Sequence, residues 1–150
     1  MKELKKRIYQ LCSESVDTRI AAIKSSIEMA EEASFGEVSS SMGDKYETGR
    51  SMMQLEIQKY EVQMAEARKL RNVLNEINPN LSTDDIQLGS LAETEQGNFY
   101  LSVSIGKVKV DDYECFAISM QSPAGQAIFG LKANDTYELN GKTYKIKAVR

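Results

Sequence analysis

The chain has 150 residues, of which 41% are hydrophobic and 27% are charged, and this is the composition of a soluble, folded protein. Its net charge of −3 is spread over both halves of the sequence, which argues against tight binding to nucleic acid by the chain alone. The sequence contains no histidine, so Ser–His and Cys–His nucleophile pairs and histidine-bearing zinc sites are excluded.

The start of the sequence and its hydropathy predict a cytoplasmic protein. The opening residues 1–7 are charged, and no apolar run in the sequence approaches membrane-spanning length. Cys12 and Cys115 belong to no C-x-x-C pair, and we expect no disulfide between them in a reducing compartment.

The first half of the chain has the apolar spacing of two long helices. Apolar residues recur mostly at spacings of three and four in both segments, and the first stripe weakens over residues 13–18. The stripes are Leu4, Ile8, Leu11, Ile20, Ile23, Ile27 and Ala30, and Met53, Ile57, Tyr60, Met64, Ala67, Leu74 and Ile77. Each stripe is too narrow to be buried in a globule, but two such stripes can cover each other. The pattern predicts an antiparallel coiled-coil hairpin over residues 1–77. A compact helical bundle is the alternative, although the later sequence supplies no further long helix.

The segments around the hairpin have different compositions. Residues 34–43 are rich in serine and glycine, which predicts a tip loop over residues 34–47. Asn78 and Pro79 cannot continue the second helix, so residues 78–84 are predicted to be a linker.

The period changes to two in the second half, which predicts a small antiparallel β domain over residues 85–150. Strands are predicted over residues 98–105, 107–110 and 113–119, and the turn Asn140-Gly141 predicts a closing hairpin. Between them, Ser122-Pro123 has the signature of a helix start. The predicted fold class is therefore α+β.

Two motifs resemble those of the bacterial transcript-cleavage factors GreA and GreB. The first is Ser122-Pro123-Ala124-Gly125-Gln126-Ala127-Ile128-Phe129-Gly130-Leu131-Lys132, and the second is Gly43-Asp44-Lys45-Tyr46-Glu47. The resemblance implies a hairpin that enters the secondary channel of RNA polymerase. It also implies an FKBP-like β domain that docks at the channel rim.

The resemblance also implies the site residues and partners. Asp44 and Glu47 would be the catalytic and metal-binding acids, and Mg²⁺ would be held jointly with RNA polymerase and not tightly by this chain alone. The polymerase would cleave backtracked RNA near its 3′ end, so the chain would be an accessory factor and not an enzyme. The implied partner-binding residues are Ser122, Pro123, Ile128 and Phe129.

The chemistry of the tip motif allows two roles. Residues three apart on a helix have Cβ atoms about 5 to 6 Å apart, which suits two carboxylates that share one ion or its water shell. However, Asp-x-x-Glu at a helix start is also a capping-box pattern. The two roles are compatible, because the same oxygens can cap the free helix and bind metal in a complex.

Two other functions stay open at this level. The sequence departs from the family pattern at residues 34–42 and after Glu47, where Thr48-Gly49-Arg50-Ser51 replaces Asn-Ala-Glu-Tyr. A channel-binding regulator without cleavage activity would fit these departures. An adaptor that dimerises through its coiled coil is the other alternative, whereas stripes that cover each other within one chain predict a monomer.

Overall fold

The computed structural model describes residues 2–38 and 43–150, with side chains described for residues 2–33 and 49–150. The elements are α1 (Lys2–Val38), α2 (Gly43–Asn75), β1 (Leu91–Thr94), β2 (Gly97–Leu101), β3 (Gly106–Val110), β4 (Tyr113–Ile118), α3 (Pro123–Ile128), β5 (Thr136–Leu139) and β6 (Lys142–Val149). This order confirms the predicted α+β class. Within the described helices, none combines the length and the apolar character that a membrane crossing requires.

Both long helices extend into the stretch of sequence that the composition predicts to be the tip loop. Residues 34–38 belong to α1 and residues 43–47 belong to α2, so these positions are helical where a loop is predicted. A glycine such as Gly36 costs a helix only about 1 kcal/mol relative to alanine, so a long helix tolerates it. The rest of the predicted tip loop, residues 39–42, lies outside the described residues.

Tertiary contacts divide the chain into two compact units. One unit is Val16–Arg71, and the other combines Met1–Ser15 with Asn72–Arg150. In the first unit, which we call the hairpin unit, α1 packs against α2 through Ile23, Met64 and Ala67. These residues belong to the two predicted stripes, so the predicted helical hairpin is confirmed here.

The second unit, which we call the sheet unit, contains six strands in the order β3-β4-β2-β1-β6-β5. All pairings are antiparallel except that of β2 with β4, which is parallel, so the sheet is mixed and not wholly antiparallel. The parallel pair arises because β3 lies at the edge and turns back into β4, which then runs beside β2 in the same direction. The predicted closing hairpin is confirmed, with Asn140 and Gly141 at φ of 55° and 79°.

Both faces of the sheet are covered. One face forms a core with α3, which contains Ile86, Ala92, Phe99, Leu101, Ile128, Tyr137 and Ile146. Side chains alternate along a strand, so Tyr100 and Ser102 lie on the opposite face. There the Cys12 Sγ atom on α1 lies 3.9 Å from the Ser102 Oγ atom, and Ile8, Cys12 and Tyr100 are all fully buried. The beginning of α1 therefore completes the second layer of this unit.

Candidate functional site

The motif helix α3 begins where the sequence predicts. Ser122 is its N-cap, since its Oγ atom accepts a hydrogen bond from the Gly125 N–H at 3.1 Å. The same hydroxyl donates to the Ser119 carbonyl oxygen at 2.7 Å. Pro123 follows at the first helical position, where no backbone N–H is needed. The side chain of Ser122 is thus used to fix the start of the helix.

Gly125 is required by packing against the preceding turn. A Cβ atom at this position would lie 2.1 Å from the Ser119 carbonyl oxygen, a backbone atom that cannot move away without displacing the turn. The cap and this close approach explain the Ser-Pro-Ala-Gly sequence by local structure. The motif therefore holds α3 in one position on the sheet.

At the end of α3, a buried residue is followed by an exposed residue. Ile128 is fully buried in the core against the sheet, so its side chain stabilises the fold and is not available to a partner. Phe129, the next residue, is 48% exposed, and Pro123 at the other end of the helix is also exposed. Of the four predicted partner-binding residues, Pro123 and Phe129 present apolar surface to solvent.

A second exposed aromatic residue in this unit was not predicted from the sequence. Phe116 on β4 is 46% exposed and pairs in register with Phe99, so it lies on the same sheet face as the α3 core. Beside it, Lys107 forms an ion pair with Glu114 at 3.2 Å. The sequence did contain a signal for the exposure of Phe116. Side chains alternate along β4, so that Cys115 and Ala117 are buried and Phe116 lies on the other face.

The tip acids are placed only at the level of the backbone. Residues 44 and 47 lie in the opening turns of α2, which begins at Gly43. The side chains of Asp44 and Glu47 lie outside the described residues, so their metal-binding and catalytic roles stay predictions. Among the side chains that are described, no group of three or more Cys, Asp or Glu residues could hold a metal ion.

Besides the contact of Cys12 with Ser102, three polar contacts join the start of α1 to the rest of the sheet unit. Lys5 Nζ donates to the Leu81 carbonyl oxygen at 2.8 Å, and burial lowers the pKa of this lysine. Arg7 donates to Asp111 at 2.7 Å, and this hydrogen bond lowers the pKa of the Asp111 carboxyl. The third contact joins the hydroxyl of Tyr9 to the carbonyl oxygen of residue 74 at 3.0 Å. Sequence patterns gave no signal for these contacts, because they join residues far apart in the chain.

The chain was compared with protein-family models, with curated proteins and with solved structures. No protein-family model matches the chain, and no curated protein matches it. Among solved structures, it is similar to the crystal structure of GreA factor homolog 1 from Thermus thermophilus. The two share 20% sequence identity over 92% of this chain and 94% of that chain, with a TM-score of 0.36. The matched protein is a GreA factor homolog. At this TM-score, the likeness assigns no role to any residue, so residue roles depend on the motifs and on the geometry above.

The two cysteines do not add a nucleophile to the site. Both thiols are free and buried, and burial raises the pKa of Cys12 to about 11 and that of Cys115 to about 12. Near neutral pH both are protonated thiols, which are poor nucleophiles. Tyr100 lies in the same buried region, and its hydroxyl has no hydrogen-bond partner in the described part of the chain.

Proposed function

We propose that this protein is a bacterial transcription elongation factor that binds RNA polymerase. In this proposal the helical hairpin enters the secondary channel and stimulates cleavage of backtracked RNA by the polymerase. The observation that carries the proposal is the position of the motif at residues 43–47, which opens the second helix of the hairpin. The capped helix α3 on the sheet unit supports it, because both motifs of the resemblance occupy the elements that the resemblance requires.

In the proposed reaction, Asp44 and Glu47 would hold Mg²⁺ together with ligands from the polymerase. When bound, the ion would activate a water molecule and stabilise charge on the phosphate that is attacked. Two carboxylates from an accessory factor suit this ion, which prefers oxygen ligands and retains several waters. The chain itself would supply the two carboxylates and their position, and the polymerase would supply the remaining ligands and the RNA 3′ end. The proposed function places the protein in the cytoplasm.

The sheet unit would dock on the polymerase through the exposed ends of α3. Pro123 and Phe129 offer apolar surface there, and residues of this kind at the centre of an interface often contribute most of its binding energy. Ser122 would act indirectly, because its hydroxyl is used in the helix cap.

The decisive experiment changes Asp44→Asn and Glu47→Gln together. We expect the double variant to bind stalled elongation complexes but to lose the stimulated shortening of RNA 3′ ends, because amides are poor ligands for Mg²⁺. Amide side chains still accept hydrogen bonds, so we expect a loss of only about 1 kcal/mol in helix capping. The readouts are the RNA length in stalled complexes and the fraction of factor bound.

A matched control changes Glu31→Gln and Glu32→Gln, two exposed acids on α1 that alter the net charge by the same amount. We expect this control to retain RNA shortening. Undiminished shortening by the tip variant at equal binding would refute the metal role.

A channel-binding regulator without cleavage activity is the second candidate. It is favoured by the departures from the family pattern, which are the apparent insertion at residues 34–42 and the replacement of the family's residues after Glu47 by Thr48-Gly49-Arg50-Ser51. The same assay separates the two functions. A regulator would bind the polymerase and change its elongation rate, and the parent protein would not shorten the RNA.

A further inference from the structure

The start of α1 packs on the sheet face that carries Tyr100, and both cysteines of the chain are buried there. Cys12 belongs to α1 itself. Cys115 lies on the same face of β4 as Ala117, which pairs in register with Tyr100. The pKa of Cys115 is raised by burial and also by the nearby Cys12, so the two thiols share one buried region. We call residues 2–15 the α1 segment, and access to this region depends on it.

The hydroxyl of Tyr100 is a buried polar group with no hydrogen-bond partner among the described residues. The side chain is fully buried, and burial is the main cause that raises the pKa of its hydroxyl. A hydroxyl in this position has lost its hydrogen bonds with water and has gained none in return. Water reaches it again when the α1 segment moves off the sheet. Tyr100 therefore favours an open state of this segment.

The buried tyrosine on the other sheet face has hydrogen-bond partners. The hydroxyl of Tyr137 lies 2.9 Å from the Gln96 Oε1 atom and 3.1 Å from the Thr94 Oγ1 atom. Tyr137 belongs to the core beneath α3 and is 5% exposed. An opening on that face would break these hydrogen bonds, whereas the hydroxyl of Tyr100 has none to lose within the described residues. At these two tyrosines, opening is therefore less costly beneath the α1 segment.

The α1 segment itself contains a buried amine. Lys5 is 4% exposed, and its Nζ atom donates to the Leu81 carbonyl oxygen at 2.8 Å. A neutral acceptor compensates for only part of the hydration that an ammonium loses, and burial lowers the pKa of this lysine. Lys2 and Lys5 also lie in the first turn of α1 together with one acid, Glu3. The positive end of the helix dipole disfavours cations in this turn, so the charges add to the cost of the closed state.

We propose that the α1 segment is a gate, which opens locally from the sheet while the six strands stay folded and so controls access to Cys12 and Cys115. Local openings of contiguous segments cost less free energy than global unfolding. In the closed state, burial raises the pKa of Cys12 to about 11, so this thiol is protonated near neutral pH. In the open state the thiol is hydrated, and its pKa returns towards about 8.5. The gate thus exposes reactive thiols that the closed structure hides.

The chemical consequence is thiol–disulfide exchange with a low-molecular-weight disulfide. The opened Cys12 thiol gives its proton to solvent, and the thiolate attacks one sulfur of the reagent. A new S–S bond forms, the old one breaks, and the second sulfur leaves as a thiolate. The mixed disulfide cannot return to the closed position, because Cys12 is fully buried and its Sγ atom lies 3.9 Å from the Ser102 Oγ atom. Modification therefore holds the gate open.

The test is labelling of the full chain near neutral pH with dithionitrobenzoate, an aromatic disulfide whose released thiolate is measured by absorbance. Peptide mass spectrometry assigns the label to Cys12 or Cys115. The labelling rate, divided by that of an unstructured cysteine peptide, gives the equilibrium constant for opening. We expect a larger constant than that for global unfolding measured by circular dichroism. It should also depend more weakly on urea, because a local opening exposes less surface.

Two tyrosine substitutions form a matched pair. Tyr100→Phe keeps the ring and removes the hydroxyl without a partner, so labelling of Cys12 should slow about tenfold or more. Tyr137→Phe removes a hydroxyl that has partners on the other face, and we expect it to leave the labelling rate unchanged. Lys5→Met removes the buried amine at similar volume and should also slow labelling.

Circular dichroism checks that each variant is folded, and Lys5→Met decides the question if Tyr100→Phe does not fold. Labelling of Cys12 with the urea dependence of global unfolding overturns the proposal. An unchanged or faster rate in Tyr100→Phe does so as well, because the hydroxyl would then not favour opening. The measurement uses no polymerase, so its outcome is separate from that of the proposed function.

Discussion

Asp111 has two structural roles, one through its backbone conformation in a turn and one through an ion pair of its side chain. It lies in the turn between β3 and β4 with a φ of 53°, a left-handed conformation that Asp and Asn adopt more readily than other non-glycine residues. Its carboxylate accepts a hydrogen bond from Arg7 at 2.7 Å, and both side chains are exposed. Solvent and salt screen such a pair, so its contribution to stability should be modest.

The first prediction at this scale concerns the pH dependence of that pair. Arg7 holds the pKa of Asp111 below its ordinary value of 3.8, so the stabilising effect is fully present above this value. It is lost as the pH falls through the lower folded-state pKa. We expect the parent protein to be more stable than Asp111→Asn near neutral pH, and this difference should disappear in acid. Asparagine retains the left-handed turn, so the substitution isolates the charge.

Urea unfolding at a series of pH values measures this difference. Asp112→Asn is the control, because Asp112 is an exposed carboxylate in the same turn. A stability difference for Asp111→Asn that stays constant from neutral pH into acid would show that the charge of Asp111 is not the cause.

At the scale of elements, α3 is a short helix with two distinct surfaces. Its inner side packs on the sheet through Ile128, while Phe129 at its end faces solvent. The cap at Ser122 and the close approach at Gly125 fix the helix in this orientation. Neighbouring residues in one motif can therefore have different roles, one in the core and one on the surface.

This separation predicts opposite outcomes for two substitutions. Ile128→Ala should destabilise the protein by about 2 to 5 kcal/mol, because it removes apolar volume from a fully buried site. Phe129→Ala should change the free energy of unfolding much less and should weaken polymerase binding. Urea unfolding and a binding assay with polymerase measure the two effects. Full polymerase binding by Phe129→Ala would remove this residue from the proposed docking surface.

At the scale of the whole molecule, the sheet unit is built from two separate stretches of sequence, and these include both helical and strand periodicities. The start of α1 and the end of α2 belong to it, together with all six strands. Ile8 and Cys12 are buried with Tyr100 on the sheet face opposite α3. A sheet covered on both faces can bury enough apolar surface for stability, whereas one covered on a single face exposes the rest.

We therefore expect a fragment of residues 78–150 to be much less stable than the complete sheet unit. Without the helix ends, the side chain of Tyr100 and its neighbours on that face would be exposed to water. The comparison is a shortened chain in which residues 16–71 are replaced by a flexible linker. A short linker should suffice, because Arg71 Nη1 and Asp17 Oδ1, just inside the excised segment, form an ion pair at 3.0 Å, so α1 and α2 lie side by side at this level.

Circular dichroism during urea unfolding measures both proteins. We expect a cooperative transition for the shortened chain and a weaker or absent transition for the fragment. Equal cooperativity and equal midpoints would mean that the helix ends contribute little to the sheet unit.

The sequence alone determined those features that depend on neighbouring residues. Apolar spacing of three and four predicted the two helices and their seam, which the packing of Ile23 against Met64 and Ala67 confirms. The Asn140-Gly141 turn and the Ser122 cap were also predicted correctly, because each depends on backbone geometry over a few residues. In the candidate site, the sequence therefore located α3 and its boundaries.

Only the tertiary structure decided how the strands pair, which residues are buried and which distant residues are in contact. Period-two patterns are the same in parallel and antiparallel strands, so the parallel pairing of β2 with β4 depended on the route of the chain through β3. The motif could not separate the buried Ile128 from the exposed Phe129, because burial depends on how the helix sits on the sheet. The contact between Arg7 and Asp111 joins residues 104 positions apart. Such contacts depend on the packing of the complete chain and have no local signature.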